Sequence, residues 1–129
     1  MKRILLFAVL LVVQLGFGQT TWTGTTNTNW NTASNWTAGV PDALDAVTIP
    51  NVTNKPIISV AGAVCASLTI NNALGTPNTL TINTSGTLVV SGNITISAPS
   101  VNSGLSVIDV VSGSLSGASI TLSDTTGSG

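Results

Sequence analysis

Histidine, glutamate and tyrosine do not occur among the 129 residues, and cysteine occurs once, at Cys65. Without an imidazole, Ser/His/Asp and Cys/His nucleophilic arrangements are excluded. Charge is equally scarce, at 5% of residues, with Lys2, Arg3 and Lys55 as the only basic side chains. A chain so poor in cations has no patch to neutralise phosphates, so nucleic acid is not an expected partner. The same scarcity argues against electrostatic attachment to anionic lipid. A β-helix polysaccharide lyase needs a basic residue to abstract a proton, and residues 19–129 hold no arginine and one lysine. Paired aspartates can hydrolyse glycosides, but nothing places two of Asp42, Asp45, Asp109 and Asp124 across a groove. The reading is therefore non-enzymatic, with no cofactor and no metal. A lone cysteine cannot close an internal disulfide. Set in Ala63-Val64-Cys65-Ala66, it reads as a small buried hydrophobe.

The N-terminus is organised as a secretory leader. Lys2 and Arg3 precede an unbroken apolar run from Ile4 to Val13, and Gly16 and Gly18 stand where a signal peptidase reads small residues. Cleavage is placed between Gly18 and Gln19, which makes 1–18 the signal peptide. The apolar run is shorter than the roughly 20 residues a membrane-spanning helix needs, so no stable membrane span is expected once the leader is removed. Beyond Gly18, Lys55 alone stands against Asp42, Asp45, Asp109 and Asp124, so the balance is acidic. That stretch suffices for one modest domain.

Beyond the leader, residues 19–46 are rich in Trp, Asn and Thr and form an N-terminal cap segment. Residues 47–129 are short aliphatic runs separated by Gly, Asn, Ser and Pro. Strands are predicted at Val47–Ile49, Ile57–Val60, Val64–Ile70, Thr79–Ile82, Thr87–Val90, Asn93–Ser97, Leu105–Val111 and Ala118–Leu122. No window repeats apolar residues at helical spacing over a helix's length. The fold class is all-β.

Ser67-Leu68-Thr69-Ile70-Asn71, Asn93-Ile94-Thr95-Ile96-Ser97 and Ser119-Ile120-Thr121-Leu122-Ser123 share one alternation. Their starts, at positions 67, 93 and 119, are evenly spaced. A fixed period with strands this short is the mark of a solenoid. The expectation is a right-handed parallel β-helix, with Leu68/Ile94/Ile120 and Ile70/Ile96/Leu122 as inward ladders. A β-sandwich, which also alternates, is the alternative. The final segment, Ser123 to Gly129, reads as a coil turn without a cap, and truncation at the C-terminus is expected.

The segment Trp22-Thr23-Gly24, then Asn29-Trp30-Asn31-Thr32-Ala33-Ser34-Asn35-Trp36, Gly39-Val40-Pro41 and Asp45-Ala46-Val47-Thr48-Ile49-Pro50 resembles a recurring opening. It is similar to the N-terminal part of Bacteroidetes-type secreted adhesin-like proteins and autotransporter-passenger-like β-helix proteins. Ser67-Leu68-Thr69-Ile70 and Gly86-Thr87-Leu88-Val89-Val90-Ser91-Gly92-Asn93 resemble their coil pattern. The resemblance covers about residues 19–97. It implies a secreted or cell-surface adhesin-like β-helix stalk whose partners are extracellular glycans or surface proteins. The further coils and C-terminal sorting domain of full-length members are not found in this sequence.

Trp22, Trp30 and Trp36 are the only aromatic side chains after the leader. They admit two roles: covering the end of the first coil, or stacking on sugar rings, with neighbouring amides meeting hydroxyls. The second role would make the chain a carbohydrate-binding module of a secreted polysaccharide-degrading enzyme, the alternative function. Asp42 and Asp45 read as turn and cap residues, since two carboxylates are few for Ca²⁺ and no calcium-binding nonapeptide repeat is present. The column Thr69, Thr95 and Thr121 reads as β-propensity rather than an ice-binding array. The sequons at Asn35, Asn51, Asn83 and Asn93 follow from composition.

Overall fold

Alternating Thr and aliphatic residues build strands that bury one face and wet the other. The computed structural model describes residues 18–72, 76–98 and 104–122. Most of the leader and Asp124 lie outside them. Among the described residues the chain forms β1 (Gln19–Thr21), β2 (Ala46–Ile49), β3 (Ile57–Ile58), β4 (Ala63–Cys65), β5 (Ser67–Ile70) and β6 (Asn78–Ile82). It continues with β7 (Thr87–Val90), β8 (Asn93–Ile96), β9 (Ser106–Val110), β10 (Ser114–Ser116) and β11 (Ser119–Leu122).

From β2 onward, each circuit of the chain gives one strand to each of three sheets in turn, while the first circuit, after β1, is taken up by the tryptophan segment. The sheets run β1-β2-β5-β8-β11, β3-β6-β9 and β4-β7-β10. Every strand pairing is parallel. A sandwich of antiparallel hairpins cannot produce that pattern. The chain is a parallel β-solenoid.

The repeat read from the sequence is the register. Leu68 pairs with Ile94 and Ile94 with Ile120, as do Ile70 with Ile96 and Ile96 with Leu122. The inward columns also include Thr20-Val47-Leu68, Ile58-Ile82-Val110, Ala63-Leu88-Leu115 and Cys65-Val90. Burying each large aliphatic contributes about 1.5–3 kcal/mol. Exposure rises along a column toward the last coil: Leu68 and Ile94 are 0% exposed, Ile120 60%. Leu122 reaches 73%, because no described strand lies on the far side of β11.

Four differences from the sequence reading have local causes. The predicted strand Val64–Ile70 is two strands, β4 and β5, broken at Ala66. There the chain turns a corner, with the Ala66 N–H donating to Asp45 O at 2.8 Å and Gly92 N donating to Ala66 O at 2.7 Å. A Cβ on Gly92 would stand 2.7 Å from that same carbonyl, so close stacking of corners requires glycine. The predicted strand Ile57–Val60 ends at Ile58, with Ser59 and Val60 exposed at the next corner. Gln19–Thr21, assigned to the cap, is the first rung of the largest sheet, with Thr20 paired to Val47. Ser114–Ser116 is a strand although it holds a single aliphatic, Leu115.

Cys65 is 1% exposed and behaves as the small hydrophobe expected. Burial, with a smaller contribution from the Asp45 carboxylate, raises its thiol from 9.0 to about 12. The unfolded thiol ionises first, so between about pH 9 and 12 the folded chain holds the extra proton. Stability therefore falls as pH rises through that window. Cys65→Val is expected to flatten the decline of melting temperature with pH there. An unchanged slope would show that the thiol is not its source.

Candidate functional site

The tryptophan segment lies against the N-terminal coil and is built around buried amides. After β1, Trp22 N donates to Thr48 O at 2.9 Å, and Trp22 bridges Trp36 in antiparallel fashion. Gly24 turns the chain with φ +59, a conformation that favours glycine. Ala33–Asn35 forms one 3-10 turn. Asn35, 0% exposed, uses its whole amide: Oδ1 accepts from Thr26 N and Asn27 N, while Nδ2 donates to Asn27 Oδ1 and Asn29 O. That hub folds residues 26–29 so that Asn29 pairs in parallel with Ile57 at the edge of β3. Trp30 N then donates to Ile57 O, and Ile57 N to Thr28 O.

The three indoles pack edge to face. Trp22 and Trp36 have ring centroids 5.0 Å apart at 79°, and Trp30 and Trp36 4.7 Å apart at 75°. Trp22 Nε1 donates to Asn54 O and Trp36 Nε1 to Trp30 O, both at 2.7 Å. Trp30 Nε1 is buried without a partner among the described residues. All three rings join the aliphatic core, at 0, 1 and 5% exposure. The rings pack against one another and against the first coil, with little of their surface open to solvent.

Asp42 and Asp45 organise a turn: Asp45 Oδ2 accepts from Asp42 N and Asp42 Oδ1 from Leu44 N. No group of three or more metal-ligating side chains occurs among the described residues. Asp109 is exposed on β9, opposite Thr81.

Among the described residues, two clefts and one face bear on binding. The outward face of the largest sheet carries an in-register column, Thr21-Thr48-Thr69-Thr95-Thr121, which extends the sequence repeat by Thr21 and Thr48. One cleft, of about 340 Å³, is lined by Asn51, Val52, Thr53, Lys55 and Thr76. Its ammonium and amide are engaged internally: Lys55 Nζ donates to Asn51 Oδ1 and Val52 O, and Asn51 Nδ2 to Asn72 Oδ1 and Thr76 O. Desolvation lowers the Lys55 pKa.

The other cleft, of about 280 Å³, lies between the cap and the first coils and is lined by Thr28, Asn29, Asn31, Ile57, Ser59, Val60 and Asn83. Asn31 belongs to the tryptophan motif and Asn83 to a sequon, but neither stood out as a site residue. Only the coil register unites them, because Asn83 N donates to Ile58 O from one coil later. No linear spacing signals that meeting.

A family model described as a domain of unknown function, DUF8693, matches residues 21–112. No curated protein and no solved structure matches the chain. No helix among the described residues is long and apolar enough to cross a membrane.

Proposed function

We infer the function from the premise that this chain belongs to the DUF8693 family of domains of unknown function: it is a non-enzymatic, exported structural or adhesive protein. Its solenoid projects from the cell surface with the tryptophan-rich end closed. The observation that carries this reading is the stack of parallel coils with a closed first coil. Three indoles and the Asn29–Ile57 bridge cover that coil, and the strands that follow stack in register from coil to coil. Coils added to one another along a single axis give the rod that a stalk requires.

The leader and the resemblance to adhesin-like β-helix proteins support export, and the missing imidazole argues against catalysis. The experiment is expression in a bacterium of the native type, followed by protease treatment of intact cells. Expected are a chain beginning at Gln19, its loss on protease treatment, and weaker attachment of cells to glycan-coated surfaces when its gene is deleted. A cytoplasmic chain retaining residues 1–18 would overturn export. Unchanged attachment in the deletion strain would overturn adhesion.

A further inference from the structure

We propose that the cleft between the cap and the first coils is a binding site for a single neutral sugar residue, presented by an extracellular glycan. The proposal rests on the adhesive reading and names the site and the ligand chemistry within it. Its main support is where hydrogen-bonding capacity is left over. In the cap and beside it, Asn27, Asn29, Asn35 and Asn54 are engaged: Asn27 Oδ1 accepts from Asn29 N, Asn29 Oδ1 accepts from Asn31 N, and Asn54 Nδ2 donates to Gly24 O. Asn35 is spent on the hub described above. The side chains of Thr28, Asn31, Ser59 and Asn83 are different. All four line the cleft, and none of their polar side-chain atoms has a protein partner among the described residues.

Two amides and two hydroxyls converging on one space provide paired donors and acceptors. A sugar hydroxyl, itself donor and acceptor, is complementary to that set. Val60, 52% exposed, and Ile57 add an apolar wall suited to the C–H face of a pyranose. No charged side chain lines the cleft, so a uronate or sulfate would lose its hydration without gaining a cation. At about 280 Å³ the space falls just below the ~300–1,000 Å³ typical of ligand pockets, which fits one ring rather than an oligosaccharide. The Lys55 cleft has its amide and ammonium already bound within the protein, and the indoles are covered.

A shallow site with one ring bound should be weak, with Kd on the order of 1 mM. The test is a titration of the uniformly ¹⁵N-labelled exported chain with the methyl glycosides of glucose, galactose, mannose and N-acetylglucosamine. The side-chain NH₂ resonances of Asn31 and Asn83 are followed by NMR. The expected result is a saturable shift of both with at least one glycoside. Asn31→Ala and Val60→Asp, both at exposed positions that leave the core intact, should each weaken it about tenfold. Thr69→Ala, on the outward threonine column, should leave it unchanged. If no glycoside moves either amide, the cleft is not a sugar site, whatever cell attachment shows. Saturable shifts confined to the threonine column would likewise overturn the cleft while leaving the adhesive reading in place. If the cleft binds sugar but gene deletion leaves attachment unaltered, the site stands and the adhesive reading fails.

Discussion

Trp36→Ala is expected to remove a large part of the stability of the whole solenoid, not of its first turn alone. Trp36 is the middle ring of the three, in edge contact with both Trp22 and Trp30, and its Nε1 donates to Trp30 O at 2.7 Å. Truncating a buried tryptophan costs about 3–5 kcal/mol. Each edge-to-face contact adds about 0.5–1.5 kcal/mol beyond its buried area, and the freed Trp30 carbonyl loses a partner. Against a total of about 5–15 kcal/mol for a domain, this is a major fraction. At about 4–8 °C per kcal/mol for a small domain, melting followed by far-ultraviolet circular dichroism should fall by at least ~12 °C. A fall of only a degree or two would show that the indoles do not seal the stack. Trp36→Phe, which keeps a ring but loses the N–H, should melt between Trp36→Ala and the unsubstituted chain.

The second large effect separates strand from loop. Thr95 sits in β8, flanked in the largest sheet by β5 and β11, and pairs with both Thr69 and Thr121. Proline there removes a ladder N–H and sets a ring against the neighbouring strand. The cost should be about 3 kcal/mol or more. Thr25 is exposed beside the Gly24 turn, and its backbone N–H makes no hydrogen bond among the described residues. Thr25→Pro sacrifices no rung and should lower the melting temperature far less than Thr95→Pro. Equal melting temperatures for the two variants would break the assignment of β8 as a central rung.

What could be read from the sequence follows from which spacings stay constant. Ser67, Asn93 and Ser119 open strands at even intervals because the coils holding them are equal in length, so the repeat is visible. The preceding rung, Ala46-Val47-Thr48-Ile49, has the same alternation, but the coil from Ala46 to its partner Ser67 is shorter than those that follow. The rung before that, Gln19–Thr21, stands a slightly longer coil ahead of Ala46 and contains no aliphatic residue. Both escape a search at fixed period. The corner at Ala66 carries no glycine or proline of its own. Its signal lies one coil later at Gly92, where the backbone approaches closely.

The candidate site was less legible. Aromatic rings beside amides and threonines are chemically suited to sugar and to core alike, and only tertiary packing decides between them. Here packing placed every ring inside and left the uncommitted amides, Asn31 and Asn83, outside on two segments far apart in the chain. Their meeting depends on how many residues each coil takes to come round, which side-chain chemistry does not encode.

Because the ladder hydrogen bonds run from coil to coil, they point along the long axis of the stack. Tension applied along that axis would load those bonds lengthwise, one rung at a time rather than many in parallel shear. A coil such as Asn93 to Ala118 that peels away releases about 90 Å of chain at ~3.5 Å per residue, against a rise of roughly 5 Å while folded. Such a filament would dissipate a sudden pull by lengthening in discrete steps, and would shorten again by rebuilding each coil on the one beneath it.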